Sequence, residues 1–459
     1  MRPSLFVLLL ASVAFLFGCA QPVPEAPVNA TVLPAPAPPS QPNDPAAPEN
    51  ATAPAGTNTT DSAPPSAAPA LDKFSLWSNG TLLRGADIYQ RHVYPDGYDD
   101  PEAWGSGPLG PVFTQEDFDA LSAAGANVVV LSHPGLYDDL PPYALNKSVQ
   151  DNLDRFIDMA QEADLFVVIA FRTGPGRSEF GFFGVEEDDQ FGMSHLNDDV
   201  WKDKNAQDKW VEMWRYAAAR YRNRSNVVGY ELMVEPNSNG VWLDMYEPSE
   251  FYAAYGDTTY DWNQMHPRLS GAIREVDNDT PILIGGMSWS SVRWLPYIKA
   301  GADNRTVYTF HQYEPQEQYT HQAFGLGNGY PGRFDTDYDE NEEDFDKAWI
   351  DGLLGTADDF KAERGAPVAV TEYGVQRWQP GAAEFLDDEM ARFEESGMNY
   401  AIWSWQPLSE RYNEAQNDFN FRLGPEPDDT SEGSSELYDA IKKYWKRNAV
   451  RPSSFSGAS

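Results

Sequence analysis

From residue 71 onward, short apolar runs and amphipathic stretches take turns along the chain. Runs that read as strands buried on both faces occupy 82–87, 126–131, 165–171, 226–230, 281–284, 306–310, 367–370 and 400–405. Between them the apolar residues recur at helical spacing. In 206–221, Trp210, Trp214, Ala217, Ala218 and Tyr221 mark one packed face of a helix. Further helices are expected after a Thr114–Asp117 capping box and over 151–162, 262–276, 292–299, 346–364, 382–395 and 434–446. Eight strands alternating with eight helices predict an α/β fold, specifically a (β/α)8 TIM barrel. An open doubly wound sheet usually stops near about six strands.

The first 70 residues follow neither period. Met1-Arg2 and the apolar run Leu5 to Phe17 form a signal peptide, too short to span a membrane. It ends in Leu16-Phe17-Gly18-Cys19, which resembles a lipobox. Cys19, the only cysteine, is the expected lipidation site. The membrane is therefore a partner only through a lipid anchor there, and the location is extracytoplasmic, secreted or on the cell surface. A lone cysteine also rules out intrachain disulfides. Residues 20–70 are Pro, Ala, Ser, Thr and Asn with little else, an extended disordered spacer. Residues 449–459 are expected to be a disordered tail, leaving 71–448 as one folded, monomeric domain.

Composition narrows the partners. Seventy-one Asp and Glu against 33 Lys and Arg give a net charge of −38. That charge opposes nucleic acid and anionic lipid; it suits a salt-rich medium, where repulsion is screened, and so a halophilic protein. Six scattered histidines give no metal-binding spacing, and no phosphate loop or dinucleotide fingerprint is present, so neither metal nor cofactor is expected. Asp335-Thr336-Asp337-Tyr338-Asp339-Glu340 lacks the glycine that a calcium loop requires and reads as a solvated acidic loop.

Two glutamates carry the candidate chemistry. Glu235, in Met233-Val234-Glu235-Pro236-Asn237, and Glu372, in Val370-Thr371-Glu372-Tyr373-Gly374, each follow a buried run. They are expected to end strands 4 and 7. Barrel active sites lie at the carboxyl ends of strands, so both would face one crater. Two carboxylates facing each other are the minimal equipment for cleaving a glycosidic bond. Aromatics near strand ends, among them Trp289, Trp378, Trp403, Trp405, Trp242 and Tyr246, would stack on sugar faces and line a cleft.

Five motifs in chain order resemble those of glycoside hydrolase family 5: the two glutamate segments, Leu83-Arg84-Gly85-Ala86-Asp87, Tyr308-Thr309-Phe310-His311-Gln312-Tyr313 and Ile402-Trp403-Ser404-Trp405. The resemblance covers about Ser75 to Lys446. It implies a retaining hydrolase of β-linked polysaccharide, cellulase-like and acting as an endo-β-1,4-glucanase. Glu372 would be the nucleophile and Glu235 the acid/base, about 5–5.5 Å apart, with the raised pKa on Glu235. It also implies that Tyr313 hydrogen-bonds Glu372, and that His311, Trp405, Arg172, Trp289, Arg84, His133 and Trp378 contact substrate. Endo-β-mannanase or another β-glucanase remains an alternative, as does a non-enzymatic surface carbohydrate-binding lipoprotein. Three departures point to a divergent subfamily. Val234 stands where the family has an Asn that donates to the sugar 2-hydroxyl; apolar residues replace the strand 2 arginine; Arg172 replaces the strand 3 histidine. Discrimination at sugar carbon 2 is therefore expected to be loose, with Arg172 as a substitute donor or as a loop staple to Glu179.

Overall fold

The computed structural model describes residues 72–93, 108–179, 197–301, 303–323, 325–407, 417–429 and 431–455. The signal peptide, Cys19, the spacer and residues 456–459 lie outside the described residues. So does 180–196, most of the long segment after the third strand.

Eight parallel strands close into a barrel: β1 (Arg84–Tyr89), β2 (Val128–His133), β3 (Phe166–Phe171), β4 (Val227–Glu231), β5 (Ile282–Gly285), β6 (Thr306–Gln312), β7 (Val368–Tyr373) and β8 (Asn399–Ile402). Each strand pairs with its neighbours in sequence, and β8 pairs with β1. Among the described residues, seven α-helices of nine residues or more pack outside: α1 (Gln115–Ala123), α2 (Lys147–Glu162), α3 (Lys204–Tyr221), α4 (Trp262–Arg274), α5 (Lys347–Arg364), α6 (Ala382–Glu395) and α7 (Glu436–Trp445). The eighth expected helix, 292–299, is instead a 3-10 segment, Val292–Tyr297. Pro296 inside it supplies no amide proton for an α-helical bond. Asn146, Asp203, Asp261, Asp346 and Ser435 cap helices through side-chain oxygens.

Alternation along the strands divides the core in two. Side chains such as Val130, Val168, Leu283, Val307 and Ala369 fill the barrel interior, while Leu131, Ile169, Ile284 and Phe310 pack outward against the helices. At the amino-terminal mouth, Trp77 donates its indole N–H to the Val228 carbonyl (2.9 Å). The tail expectation fails for 449–455. That stretch forms a 3-10 turn, Pro452–Ser454, and Phe455 packs edge-on against Phe166 with ring centroids 5.5 Å apart. An aromatic that joins the barrel's inner apolar cluster orders a segment whose composition alone suggests disorder. No helix among the described residues is long and apolar enough to cross a membrane.

Candidate active site

At the carboxyl-terminal mouth the barrel interior turns polar, and local backbone irregularities build the change. On β7 the register against β6 shifts between Val370 and Glu372, so that Glu372 lies opposite His311. This extra residue is a β-bulge, which re-aims side chains at a strand end. Thr371 donates to Glu231 Oε1 (3.0 Å), and the Glu372 carboxylate enters the mouth. On β4 the strand stops at Glu231, four residues before Glu235. Glu235 does not end a strand as expected; it sits in the turn beyond, with φ +52°. A left-handed backbone at a non-glycine residue costs on the order of 1–3 kcal/mol and persists only where the surroundings impose it.

The two carboxylates meet around one imidazole. His311 Nδ1 lies 2.7 Å from Glu235 Oε1 and 3.4 Å from Glu372 Oε2. One oxygen of each glutamate and a ring nitrogen of His311 all fall within 4.8 Å of one another. Tyr313 donates its hydroxyl to Glu372 Oε2 (3.1 Å), and Arg172 Nη2 donates to Glu372 Oε1 (3.3 Å). The Arg172 guanidinium is held in turn by Ser132 Oγ (3.0 Å) and lies over the rings of Tyr89 (4.8 Å) and Trp403 (5.2 Å). One layer deeper, Glu231 accepts from Thr371 and Thr309 and lies 3.8 Å from His311 Nε2.

Burial sets the electrostatics. It pushes Glu372 up to about 7; the Glu235 charge adds to this, while His311 and Arg172 pull the other way. The raised pKa found here is that of Glu372, the carboxyl expected to stay ionised. Burial would lower His311, but Glu372, Glu231 and Glu235 outweigh it and hold the imidazole well above its usual range. Asp87, on the interior face of β1, is raised far above the usual carboxyl range by burial and then by Glu372. Of the two central glutamates, Glu372 faces the larger set of donors (Arg172, Tyr313 and His311), which favours carrying the negative charge there.

The remaining expected contacts divide. Trp289 sits just past β5 on a left-handed turn, with φ +55° at Ser288 and Trp289 and +59° at Ser290. Its amide donates to the Pro236 carbonyl, and a Cβ at Gly240 would lie 2.1 Å from its ring. It is thus fixed against the Glu235 turn. Trp378 is half-buried in the segment after β7, under the Arg377 guanidinium. Three expected contacts lie elsewhere. Arg84 opens β1 at the opposite, amino-terminal end, where it binds Glu394 (2.8 Å) and Asn448 (3.0 Å). His133 follows the outward-facing Leu131 by two and so faces α2, bonded to Asn152 (2.8 Å) and Pro134; the inward residue at that level is Ser132. Trp405 is 1% exposed, donates to the Asp117 carbonyl (2.9 Å) and packs under Arg422. The site-facing tryptophan is Trp403. Arg172 meets Glu372 rather than stapling to Glu179, whose Oε1 accepts from the His92 amide.

Arg177, Glu231 and Tyr89 were missed. Inward alternation two residues from known core positions marks Tyr89 after Asp87; no sequence signal marks Arg177. Among the described residues, two clusters have the composition of metal ligands: Glu235, His311 and Glu372, and the loop set Asp335, Asp337, Asp339 and Glu343. In the first, His311 Nδ1 is already engaged by the carboxylates. In the second, Asp335 accepts the backbone N–H groups of Asp337, Tyr338, Asp339 and Glu340.

The site can be set beside known proteins. Endoglucanase C of Acetivibrio thermocellus is 24% identical over 331 residues, 66% of this chain and 86% of that protein. Cellodextrinase A of Ruminococcus flavefaciens is 25% identical over 228 residues, 49% of this chain and 57% of the relative. Endoglucanase Cel5A of Thermotoga maritima shares the barrel, with a TM-score of 0.55 at 18% identity over 81% of this chain and all of that one. Residues 92–409 match the cellulase model of glycosyl hydrolase family 5, and that span, well over half the sequence, makes this chain a member of the family and a glycoside hydrolase.

Proposed function

We propose that the chain is a retaining hydrolase of β-linked polysaccharide, acting as an endo-β-1,4-glucanase with Glu372 as nucleophile and Glu235 as acid/base. The spacing of the two carboxylates, within 4.8 Å around His311, carries this reading. In a retaining mechanism no water has to fit between nucleophile and sugar, so such enzymes hold their pair at about 5–5.5 Å, against about 6.5–9.5 Å in inverting ones. Glu372 attacks the anomeric carbon as Glu235 gives its proton to the departing oxygen. The resulting glycosyl-enzyme ester is broken by a water that gives a proton to Glu235 as its oxygen bonds to the anomeric carbon. Arg172 and Tyr313 favour the ionised form of Glu372 and aim it, and His311 links the pair. Trp289, Trp378 and Trp403 are offered as sugar-stacking surfaces.

Reducing-sugar release from carboxymethylcellulose, with Glu235→Ala and Glu372→Ala as controls, tests the assignment. Each control should cost several orders of magnitude in turnover. NMR of the first product should show the β-anomer; an α-anomer would exclude retention.

Mannan as substrate is favoured by one observation. Val234 is 1% exposed, its side chain belongs to the barrel's inner apolar cluster, and its carbonyl is bonded by Arg177. It therefore offers the sugar 2-hydroxyl no donor side chain. Gluco- and manno-configured oligosaccharides should be cleaved at rates within about a hundredfold of each other, the limit for a pocket that makes no hydrogen bond to the distinguishing hydroxyl. A larger preference would overturn the loose-discrimination reading. The leader ending at Cys19 supports a lipid-anchored, extracytoplasmic location, tested by the mass of the mature amino terminus. The charge of −38 supports salt-dependent stability, tested by melting in low and high salt.

A further inference from the structure

The turn that carries Glu235 is tied down at several backbone groups. The Val234 amide donates to the Phe171 carbonyl (3.0 Å), and the Pro236 carbonyl accepts from the Trp289 amide (3.2 Å). The two carbonyls between them, those of Val234 and Glu235, accept from Arg177 Nη1 (2.7 Å) and Nη2 (2.8 Å). The donor is a fully buried guanidinium. Its two parallel N–H groups match two carbonyls of adjacent residues, a geometry that a lysine ammonium cannot reproduce.

Arg177 is itself mounted rigidly. It closes a tight turn with Gly174 through reciprocal backbone bonds of 2.8 and 3.0 Å. Trp210 of α3 donates to the Pro175 carbonyl (2.9 Å), and a Cβ at Gly174 would lie 2.8 Å from the Trp210 ring. Gly176 adopts φ +71°, and a Cβ there would lie 2.8 Å from Ala206 and from the Val200 amide. The same short segment begins with Arg172, which holds the Glu372 carboxylate.

We propose that Arg177 is a positioning residue for the acid/base. By clamping the carbonyls of Val234 and Glu235 it imposes the left-handed backbone at Glu235 and so holds its carboxyl against His311. The segment 172–177 thereby fixes both glutamates, one through its carboxylate and one through its main chain. A plain extended backbone is the default for a residue preceding proline, and Glu235 precedes Pro236. Without the clamp the turn relaxes and the carboxyl leaves the leaving-group oxygen.

This inference rests on the acid/base assignment proposed above, and the test separates the two. Arg177→Gln and Arg177→Lys are compared on carboxymethylcellulose and on 2,4-dinitrophenyl β-cellobioside, whose phenolate departs without being protonated. For Arg177→Gln, kcat/KM on the polymer should fall about 100-fold, as expected when a reacting group moves by about an ångström, with KM within about threefold. On the activated aryl glycoside the loss should be less than about tenfold, because general acid help contributes about 100-fold or more only where a proton must be delivered. Arg177→Lys keeps one donated bond and the charge, should lie between, and carries the test if the glutamine variant does not fold. Equal losses on both substrates mean a merely structural role and overturn the proposal. Glu235→Ala is run alongside. If it shows the leaving-group dependence and the Arg177 variants do not, only the clamp falls; if Glu235→Ala itself shows none, the acid/base assignment falls with it.

Discussion

Replacing Arg172 by methionine would remove the guanidinium that touches the Glu372 carboxylate and lies over Tyr89 and Trp403, leaving an unbranched apolar side chain in its place. The two charges lie 3.3 Å apart with 6% and 5% of their side chains exposed. At that distance and an effective dielectric of about 20 the pair attracts by about 5 kcal/mol, an upper bound on what the variant loses. Opposite charges this close commonly lower a carboxyl by about 1–3 units. Burial already places Glu372 at about 7, so loss of Arg172 should carry it about two units higher, at about 1.4 kcal/mol per unit. Near neutrality the ionised nucleophile then drops from about half of the molecules to about one in a hundred, and kcat/KM falls about 50-fold. The assay is the pH profile of kcat/KM on a soluble β-glucan oligosaccharide. The wild-type acid limb should lie near about 7 and that of Arg172→Met about two units above it, with activity regained in alkali. Arg172→Lys, which keeps the charge but not the planar stacking, should leave the limb nearly in place. A raised KM with an unmoved limb in Arg172→Met would mean that Arg172 binds sugar and does not tune the nucleophile.

Three further outcomes follow from the same geometry. Glu372 has a folded pKa raised from 4.5 to about 7 by burial; its stabilising contribution is complete below about 4.5 and is lost as pH rises through about 7, costing about 3 kcal/mol in alkali. Glu372→Gln should therefore melt several degrees above wild type at pH 8 and match it at pH 4; a lower melting temperature at pH 8 would contradict this. Tyr313→Phe removes a 3.1 Å hydrogen bond to the same carboxylate; at about 1.5–3 kcal/mol for a bond to a charged group, kcat/KM should drop about 10- to 100-fold with the melting temperature nearly unchanged. Trp405→Ala and Trp403→Ala should separate cleanly. The first empties a site only 1% exposed and should cost about 3–5 kcal/mol of stability by chemical denaturation, whereas the second should cost turnover and little stability.

The fold was legible because its signal is local and repeated. Each β-branched run and each apolar stripe reports its own burial, and eight alternations leave few topologies. Where the reading slipped, a single residue overrode the period. Pro296 turned an expected helix into a 3-10 segment, and Phe455 ordered an expected tail by finding Phe166. The glutamates were legible for a similar reason, since each directly follows a buried run. Arg84 and His133 were misplaced because a residue's motif does not say which end of the strand it occupies or which face it takes. Leu131 faces outward, and two residues on His133 does too, so alternation alone would have moved it out of the site.

Arg172 and Arg177 illustrate what a sequence hides. A guanidinium acts at the end of a long stem, and its partners are 200 and 57 residues away in the chain for the bonds to Glu372 and the Val234 carbonyl. Nothing in the spacing of Arg172-Thr173-Gly174-Pro175-Gly176-Arg177 distinguishes a solvent-facing basic loop from one folded inward. What decides between them is burial. The turn is pressed onto Trp210, and two cations are thereby carried into a mouth that already holds Asp87, Glu231, Glu235 and Glu372. Four carboxyl groups buried in one crater repel one another strongly unless they are protonated or matched by cations. Asp87, whose pKa burial and Glu372 raise far above the usual range, takes the first course; Arg172, Arg177 and His311 provide the second. The departures expected from the family resemblance at strands 2 and 3 therefore have a physical counterpart. If Glu372 is the nucleophile as proposed, the positive charge that favours its ionised form comes from the segment after β3, through Arg172, and from His311 on β6.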